Sequence, residues 1–305
     1  MANHTLNTHC PDWATALLNG FSQIFLQRHP LCGLLCLLAI LFTAPALFGG
    51  ALLGGVAGLL TAQRRGYAKA DRQAGLYSYN GILLGLLVSL ALPWSALVPP
   101  LIIASAGASA MLTHQWSKRT HGRRGLPAYT APFVGLGWLL LGFAAPSSAP
   151  VPVELTITHL LAAPFIGLGQ VMFLDRPLAG ALIVAGLLIA NPRAAGWALL
   201  GSTVGLAFAL LHHDDGTRAL SGLEGYNPAL VALALCQYRR RPWLPLVGML
   251  LAVLLTPGFI ALGIAPLTAP FVLSCWLVQA AVRAWLQASD DTAPCAAQDN
   301  RPRLR

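Results

Sequence analysis

Ionisable side chains are scarce in this 305-residue chain: Asp, Glu, Lys and Arg together make up 10% of it, against about 25% in a soluble globular domain. That excludes an ordinary water-soluble domain. The six cysteines, Cys10, Cys32, Cys36, Cys236, Cys275 and Cys295, form no CxxC pair and no Cys/His group at zinc spacing. Neither a disulfide scaffold nor a zinc fold follows from them, and they read as small membrane residues. The opening MANHTLNTHCPDW lacks the basic start and apolar run of a secretory signal, so the mature chain is expected to begin near Met1. What the chain does have is 56% hydrophobic residues and a mean hydropathy of +0.65. The composition is that of an all-α polytopic membrane protein.

The sequence also contains itself twice. Ser22-Gln23-Ile24-Phe25-Leu26 through Pro30-Leu31-Cys32-Gly33 recurs 147 positions on as Gly169-Gln170-Val171-Met172-Phe173 through Pro177-Leu178-Ala179-Gly180. The same offset carries Ala44-Pro45 onto Asn191-Pro192 and Gly75 to Asn80 onto Gly222 to Asn227. Homologous halves in an apolar chain imply a transport path between them. The halves are set at 1–150 and 151–305.

Apolar stretches predict five spans in the first half, at 31–48, 49–63, 77–93, 95–115 and 128–145, within 31–145. Five more are expected at 178–191, 195–211, 223–238, 243–261 and 267–288, within 178–288, followed by a disordered cytoplasmic tail over 289–305. Each set is preceded by a shorter amphipathic piece, 13–27 and 157–174. Fourteen helical residues reach about 21 Å, short of the hydrocarbon thickness of about 30 Å, so both read as re-entrant half-helices ending near the midplane. Such backbone is tolerated at that depth only where protein buries it or it lines a cavity.

An odd number of spans per half forces the halves into opposite orientations, as an inverted repeat. With both termini in the cytoplasm, 17 of the 19 basic residues fall inside and only Arg176 and Arg218 outside. This positive-inside pattern accounts for the +9 charge without nucleic-acid binding.

Between residues 31 and 288 the spans hold almost no ionisable groups; Glu224 is the one acid, placed near the outer end of its helix. Intramembrane carboxylates, the usual equipment of a proton- or sodium-coupled carrier, are missing. Neutral polar residues occur in pairs instead: Gln23 and Gln170, Asn80 and Asn227, Thr130 and Thr268. Burying a bare amide costs roughly 2 to 7 kcal/mol without replacement partners, and Gln can both donate and accept. Half-helix ends add carbonyls without intrahelical partners. Tyr79 with Leu83 and Tyr226 with Leu230, each four residues apart, share helical faces able to form a flat apolar slot. A small, planar, uncharged solute with amide edges suits this chemistry.

Each of these residues also has a plainer reading. Gln23 and Gln170 could bond helices together, the tyrosines pack in the core, Asn80 and Asn227 tie helices, and Thr130 and Thr268 cap their helices. His212-His213-Asp214-Asp215 cannot share one helical face and reads as a solvated outer loop.

With the paired motifs laid out, the chain resembles the urea transporter family of bacteria and vertebrates. The two Gln segments look like the family's half-helix ends, and Gly75 to Gly81 and Gly222 to Asn227 like its paired Gly-Leu-aromatic segments. Leu126 to Phe133 and Ala265 to Phe271 are similar to its two Leu-Pro-x-x-Thr-x-Pro-Phe copies. The resemblance covers roughly residues 13 to 285. It implies a homotrimer in a bacterial-type inner membrane, each protomer passing urea passively without cofactor or coupling ion. By that resemblance Gln23 and Gln170 bind urea at the two filter ends, Leu26 with Tyr79 and Leu83 forms one slot, Phe173 or Val171 with Tyr226 and Leu230 the other, and Thr130 and Thr268 the narrow middle. The chain departs from the family pattern at Leu26, where an aromatic is common, at Glu224, where Trp can occur, and in a second threonine motif one residue shorter.

Two rivals stay open at this point. A pore of the same build could serve short-chain amides, ammonia or water, although His29, His114, His159, His212 and His213 all fall at span ends or in loops, away from where an ammonium pore would use imidazoles. An intramembrane enzyme would need a nucleophile and base or a metal site converging within the spans, and no such set is seen in the sequence.

Overall fold

A computed structural model describes residues 12–120, 125–142, 156–212, 219–238 and 240–291. Among the described residues the chain is helical, without strands. The helices are α1 Asp12–Gln23, α2 Pro30–Thr43, α3 Pro45–Arg64, the short α4 Lys69–Gln73, α5 Tyr79–Ala91, α6 Val98–Arg119 and α7 Ala131–Leu141. After them come α8 Ile157–Gln170, α9 Pro177–Ala190, α10 Pro192–His212, α11 Tyr226–Leu235, α12 Trp243–Ala261 and α13 Ala269–Asp291.

Proline sets the first boundaries. It opens α2, α3, α9 and α10, where its missing N–H costs nothing and its fixed φ suits the first turn. The break expected after residue 48 therefore falls at Ala44, just before Pro45, as it does at Asn191 before Pro192.

The two half-helices end earlier than 27 and 174, at Gln23 and Gln170. A one-turn reversal follows each. Leu26 N–H donates to Gln23 O at 2.9 Å and Gln27 N–H to Ser22 O at 3.1 Å; Phe173 N–H donates to Gln170 O at 3.1 Å and Leu174 N–H to Gly169 O at 3.1 Å. This is the paired 5→2 and 6→1 bonding of a Schellman C-cap. The left-handed position, normally glycine, is Leu26 at φ 58° and Phe173 at φ 60°. A non-glycine residue there costs about 1 to 3 kcal/mol, so the reversal persists only because the surrounding helices hold it.

Among the described residues four helices are long and apolar enough to cross a bilayer: α3, α10, α12 and Ala269–Gln287 of α13. Helices α2, α5, α7, α9 and α11 run 14, 13, 11, 14 and 10 residues. The ten spans read from apolar runs are thus unequal. The reason is that α5, α7 and α11 start from buried hydrogen-bonded turns rather than from the surface; Ser78, Thr130 and Gly225, the residues before them, are all buried. Helix α13 continues to Asp291, past the expected 288; of the expected tail, residues 292–305 lie outside the described residues.

Helix pairings in the two halves correspond. Helix α1 packs on α2 and α8 on α9; α3 packs on α5 and α6, and α10 on α11 and α12; across the halves α2 meets α9 and α7 meets α13. Glycine permits the tightest approaches. A Cβ at Gly33 would lie 1.8 Å from Leu18 O, and one at Gly180 1.9 Å from Phe165 O, which is Leu18 shifted by 147. Gly75 and Gly222 turn the chain at φ +78° and +75° against the backbones of α1 and α8. One core, with Phe21, Phe25, Phe133, Phe271, Leu168 and Ile183 among its members, runs through both halves. Large apolar side chains such as Leu139, Leu161, Leu211 and Leu254 face outward, as the lipid-facing surface of a membrane protein requires.

Candidate pore and its flanking mouths

The site begins where α1 stops. Gln23 is half-buried, and its side-chain Oε1 is buried without a hydrogen-bond partner. An orphaned buried acceptor costs about 1 to 3 kcal/mol, so its retention points to a ligand or solvent donor. Gln23, Leu26, Tyr79 and Tyr129 share the wall of a cavity of about 570 Å³ with Asn191 and Gln237 from the second half. The cavity gathers the α1–α2 reversal, the end of α6, the α9–α10 corner and the end of α11 at one mouth.

From this cavity a chain of contacts leads across the halves. The Tyr79 hydroxyl donates to Tyr129 O. The next residue, Thr130, is buried and its hydroxyl lies 2.7 Å from that of Thr268. The residue before Thr268 continues the line, because the Tyr226 hydroxyl donates to Leu267 O at 2.7 Å. Tyr129 at φ 46° and Leu267 at φ 44° are matched left-handed residues; the kink turns each carbonyl toward a tyrosine and each following threonine toward the other. Thr130 occupies the N-cap of α7 yet makes no cap bond, so its capping reading fails and its hydroxyl serves the opposite half instead.

The far side is built similarly but filled differently. Gln170 Nε2 donates to Ser221 O at 3.0 Å. Phe173 stands where Leu26 does, its ring edge-on to Phe133 with centroids 6.3 Å apart. Tyr226 and Phe173 are half-buried, whereas Leu83, Val171 and Leu230 lie within the packed core. Between the two candidates for the second slot, Phe173 keeps exposed surface and Val171 does not. Gln170 does not reach the cavity that Gln23 lines.

Asn80 and Asn227 tie helices. Asn80 Nδ2 donates to Thr113 Oγ1 of α6 at 3.3 Å. Asn227 Nδ2 donates to Leu267 O at 3.1 Å, and its Oδ1 accepts from Phe271 N–H at 3.2 Å. Glu224 lies in the turn that leads into α11, two residues before Tyr226; it is buried, its backbone carbonyl pressed against Gly205. The half-helix carbonyls are also less free than expected, since Ser22 O and Gln23 O accept from the reversal. Each retains a second lone pair. Of His212 to Asp215, only His212 is described; its ring stacks on Phe208 with centroids 4.0 Å apart.

Sequence reasoning passed over Tyr129, Gln279 and a pair of tryptophans. Gln279 Nε2 donates to the Tyr129 hydroxyl at 2.6 Å. Trp138 Nε1 donates to Ala265 O and Trp276 Nε1 to Pro127 O, both at 2.8 Å, each α7 or α13 ring clasping the loop of the other half. The signal was present: Trp276 follows Trp138, and Thr268 follows Thr130, by the same 138 positions.

Apolar helices, two of them ending at half-buried amides, define an integral multi-pass membrane protein. The chain belongs to the urea transporter family, whose description, urea transporter, matches residues 14–283. Urea transporter 1 of Ovis aries is 27% identical to it over 73% of this chain and 62% of its own length; that of Capra hircus gives the same figures. Urea transporter 1 of Rattus norvegicus is 29% identical over 85% of this chain and 68% of its own. The chain thus spans less than two thirds of the length of the sheep and goat relatives.

Proposed function

We propose that the chain conducts urea passively through a pore in each protomer, and that it is a channel rather than an enzyme. Family membership supports the solute. The observation that carries the path is the contact line Tyr79, Tyr129–Thr130, Thr268–Leu267, Tyr226, which joins the Gln23 cavity to the far slot.

Urea presents N–H donors along two edges and an acceptor oxygen. In this reading the Gln23 Oε1 takes an N–H as urea leaves the mouth, and Leu26 and Tyr79 cover its faces. At the middle the two threonine hydroxyls give up their mutual bond and turn to the solute. Phe173, Tyr226 and Gln170 receive it on the other side. An ion would leave its hydration shell for neutral dipoles alone, at a cost of tens of kcal/mol in a low-dielectric estimate.

The halves, 1–150 and 151–305, are read as an inverted repeat. Interactions that recur at offsets of 147 and 138, reciprocal tryptophan clasps and the positive-inside count support it. That count also supports cytoplasmic termini. The homotrimer and the inner membrane rest on family resemblance. A second reading, a pore for short-chain amides, is favoured by one feature: Leu26 is smaller than its counterpart Phe173, which widens the Gln23 slot.

The test is stopped-flow urea flux in proteoliposomes of wild type, Gln23→Ala and Gln170→Ala. Both variants should fold and conduct several-fold less urea. Full rates in folded variants would remove the amides from the path. Acetamide moving as fast as urea would favour the second reading.

A further inference from the structure

The mouth that holds Gln23 carries a charge pattern that urea conduction does not use. Arg28, just beyond the α1 reversal, and Arg193, at the start of α10, line the same cavity of about 570 Å³ as Gln23. Both arginines are exposed. Among the described residues no Asp or Glu lines the cavity, and neither arginine takes part in the ion pairs found among them, Asp12 with Lys69 and Asp175 with Arg176. Two arginines, contributed by different halves, thus line one pocket together with Gln23, whose side-chain carbonyl oxygen is buried and unpartnered.

An acceptor that wants an N–H, on a residue of a mouth that wants negative charge, describes one ligand class. We infer that this mouth binds small anionic amides, in particular ureido carboxylates, with the carbamoyl group at Gln23 Oε1 and the carboxylate at Arg28 and Arg193. Arginine suits the second role because its planar fork matches a carboxylate. Low-dielectric walls around a cavity of one sign focus the potential and concentrate counter-ions there. Such a ligand enters and does not cross, since its carboxylate would have to shed its water in the neutral filter. It therefore plugs the pore.

The plug is one-sided. Shifted by the repeat offset, Arg28 falls on Asp175 and Arg193 on Ala46, so the equivalent positions of the other half hold an acid and an alanine in place of the cationic pair. The site rests on the reading of Gln23 as a urea contact, and its test keeps the two apart.

The probe is N-carbamoylglycine, and its control is the neutral N-carbamoylglycinamide, nearly equal in shape. Binding of each to the purified full-length chain is measured by titration calorimetry, and block of urea flux is measured in proteoliposomes with probe on both sides. The acid should bind and block at least about ten-fold better than the amide, a gap set by the charge-assisted bonds, and the gap should narrow as salt rises. Arg28→Gln/Arg193→Gln, with its own urea flux as reference, should abolish the gap; Arg28→Lys/Arg193→Lys should preserve part of it and shows that charge rather than folding is at issue. Equal binding of acid and amide, or an unchanged gap in the glutamine variant, would overturn the site. Charge-dependent binding without any urea flux in wild type would instead sink the transport reading and leave the anion site standing.

Discussion

Replacing Thr130 by valine removes one of two facing hydroxyls with almost no change of shape. In the resting protein the Thr130 and Thr268 hydroxyls satisfy each other across 2.7 Å while buried. The single variant leaves Thr268 buried without that partner, a cost of about 1 to 3 kcal/mol. A solute at the middle also loses one of two groups able to replace its water, which raises the barrier by a similar amount. At about 1.4 kcal/mol per decade, urea flux should fall roughly 5- to 150-fold. The double variant Thr130→Val/Thr268→Val separates the two roles, because replacing both partners by apolar groups is close to neutral for stability, whereas a solute would then find no polar group at all. Thermal stability in detergent should therefore drop in either single variant and recover in the double one. Urea flux, measured by stopped-flow on reconstituted protein, should drop in the single variants and fall further in the double. Flux that recovers together with stability would refute the reasoning and reduce the pair to interhelical glue.

Other perturbations test other parts of the account. Gln23→Leu removes an orphaned buried acceptor and should raise the melting temperature while lowering urea flux; a lower melting temperature would mean that the carbonyl has a structural partner. Tyr226→Phe should change little, because Leu267 O keeps its bond from Asn227 Nδ2 at 3.1 Å, whereas Tyr226→Ala should widen the far slot and admit larger amides; unchanged selectivity in flux assays would place that ring in the core. Gly33→Ala puts a methyl 1.8 Å from Leu18 O, a backbone atom that cannot yield cheaply, and should abolish recovery of folded protein in size-exclusion chromatography, where a normal peak would contradict the packing of α1 on α2.

The class and the repeat were legible because they are written in composition and in one constant offset. Gln23, Gln170, the tyrosines and the threonines all stood out as pairs, and the structure joins Thr130 to Thr268 directly. What the sequence hid is mostly tertiary. An apolar run does not reveal that a helix starts inside the protein, so α5, α7 and α11 came out shorter than their runs. Leu26 and Phe173 gave no sign of a left-handed backbone, since the Schellman turn usually announces itself with glycine. The separate offset of 138 for the threonine and tryptophan pairs marks a nine-residue shortening of the second half, and Trp138 and Trp276 were readable from it. Arg28 and Arg193 were not, because no repeat relates them and only the fold brings them to one mouth.

The central claim is a neutral, selective path for urea, and the most direct test is the permeability of proteoliposomes holding the purified chain to urea, acetamide, glycerol and potassium side by side. The account requires urea permeability well above that of protein-free liposomes, slower acetamide and glycerol, and potassium leak at the bare-liposome level. Urea moving no faster than through bare lipid, or potassium moving with it, would contradict the account.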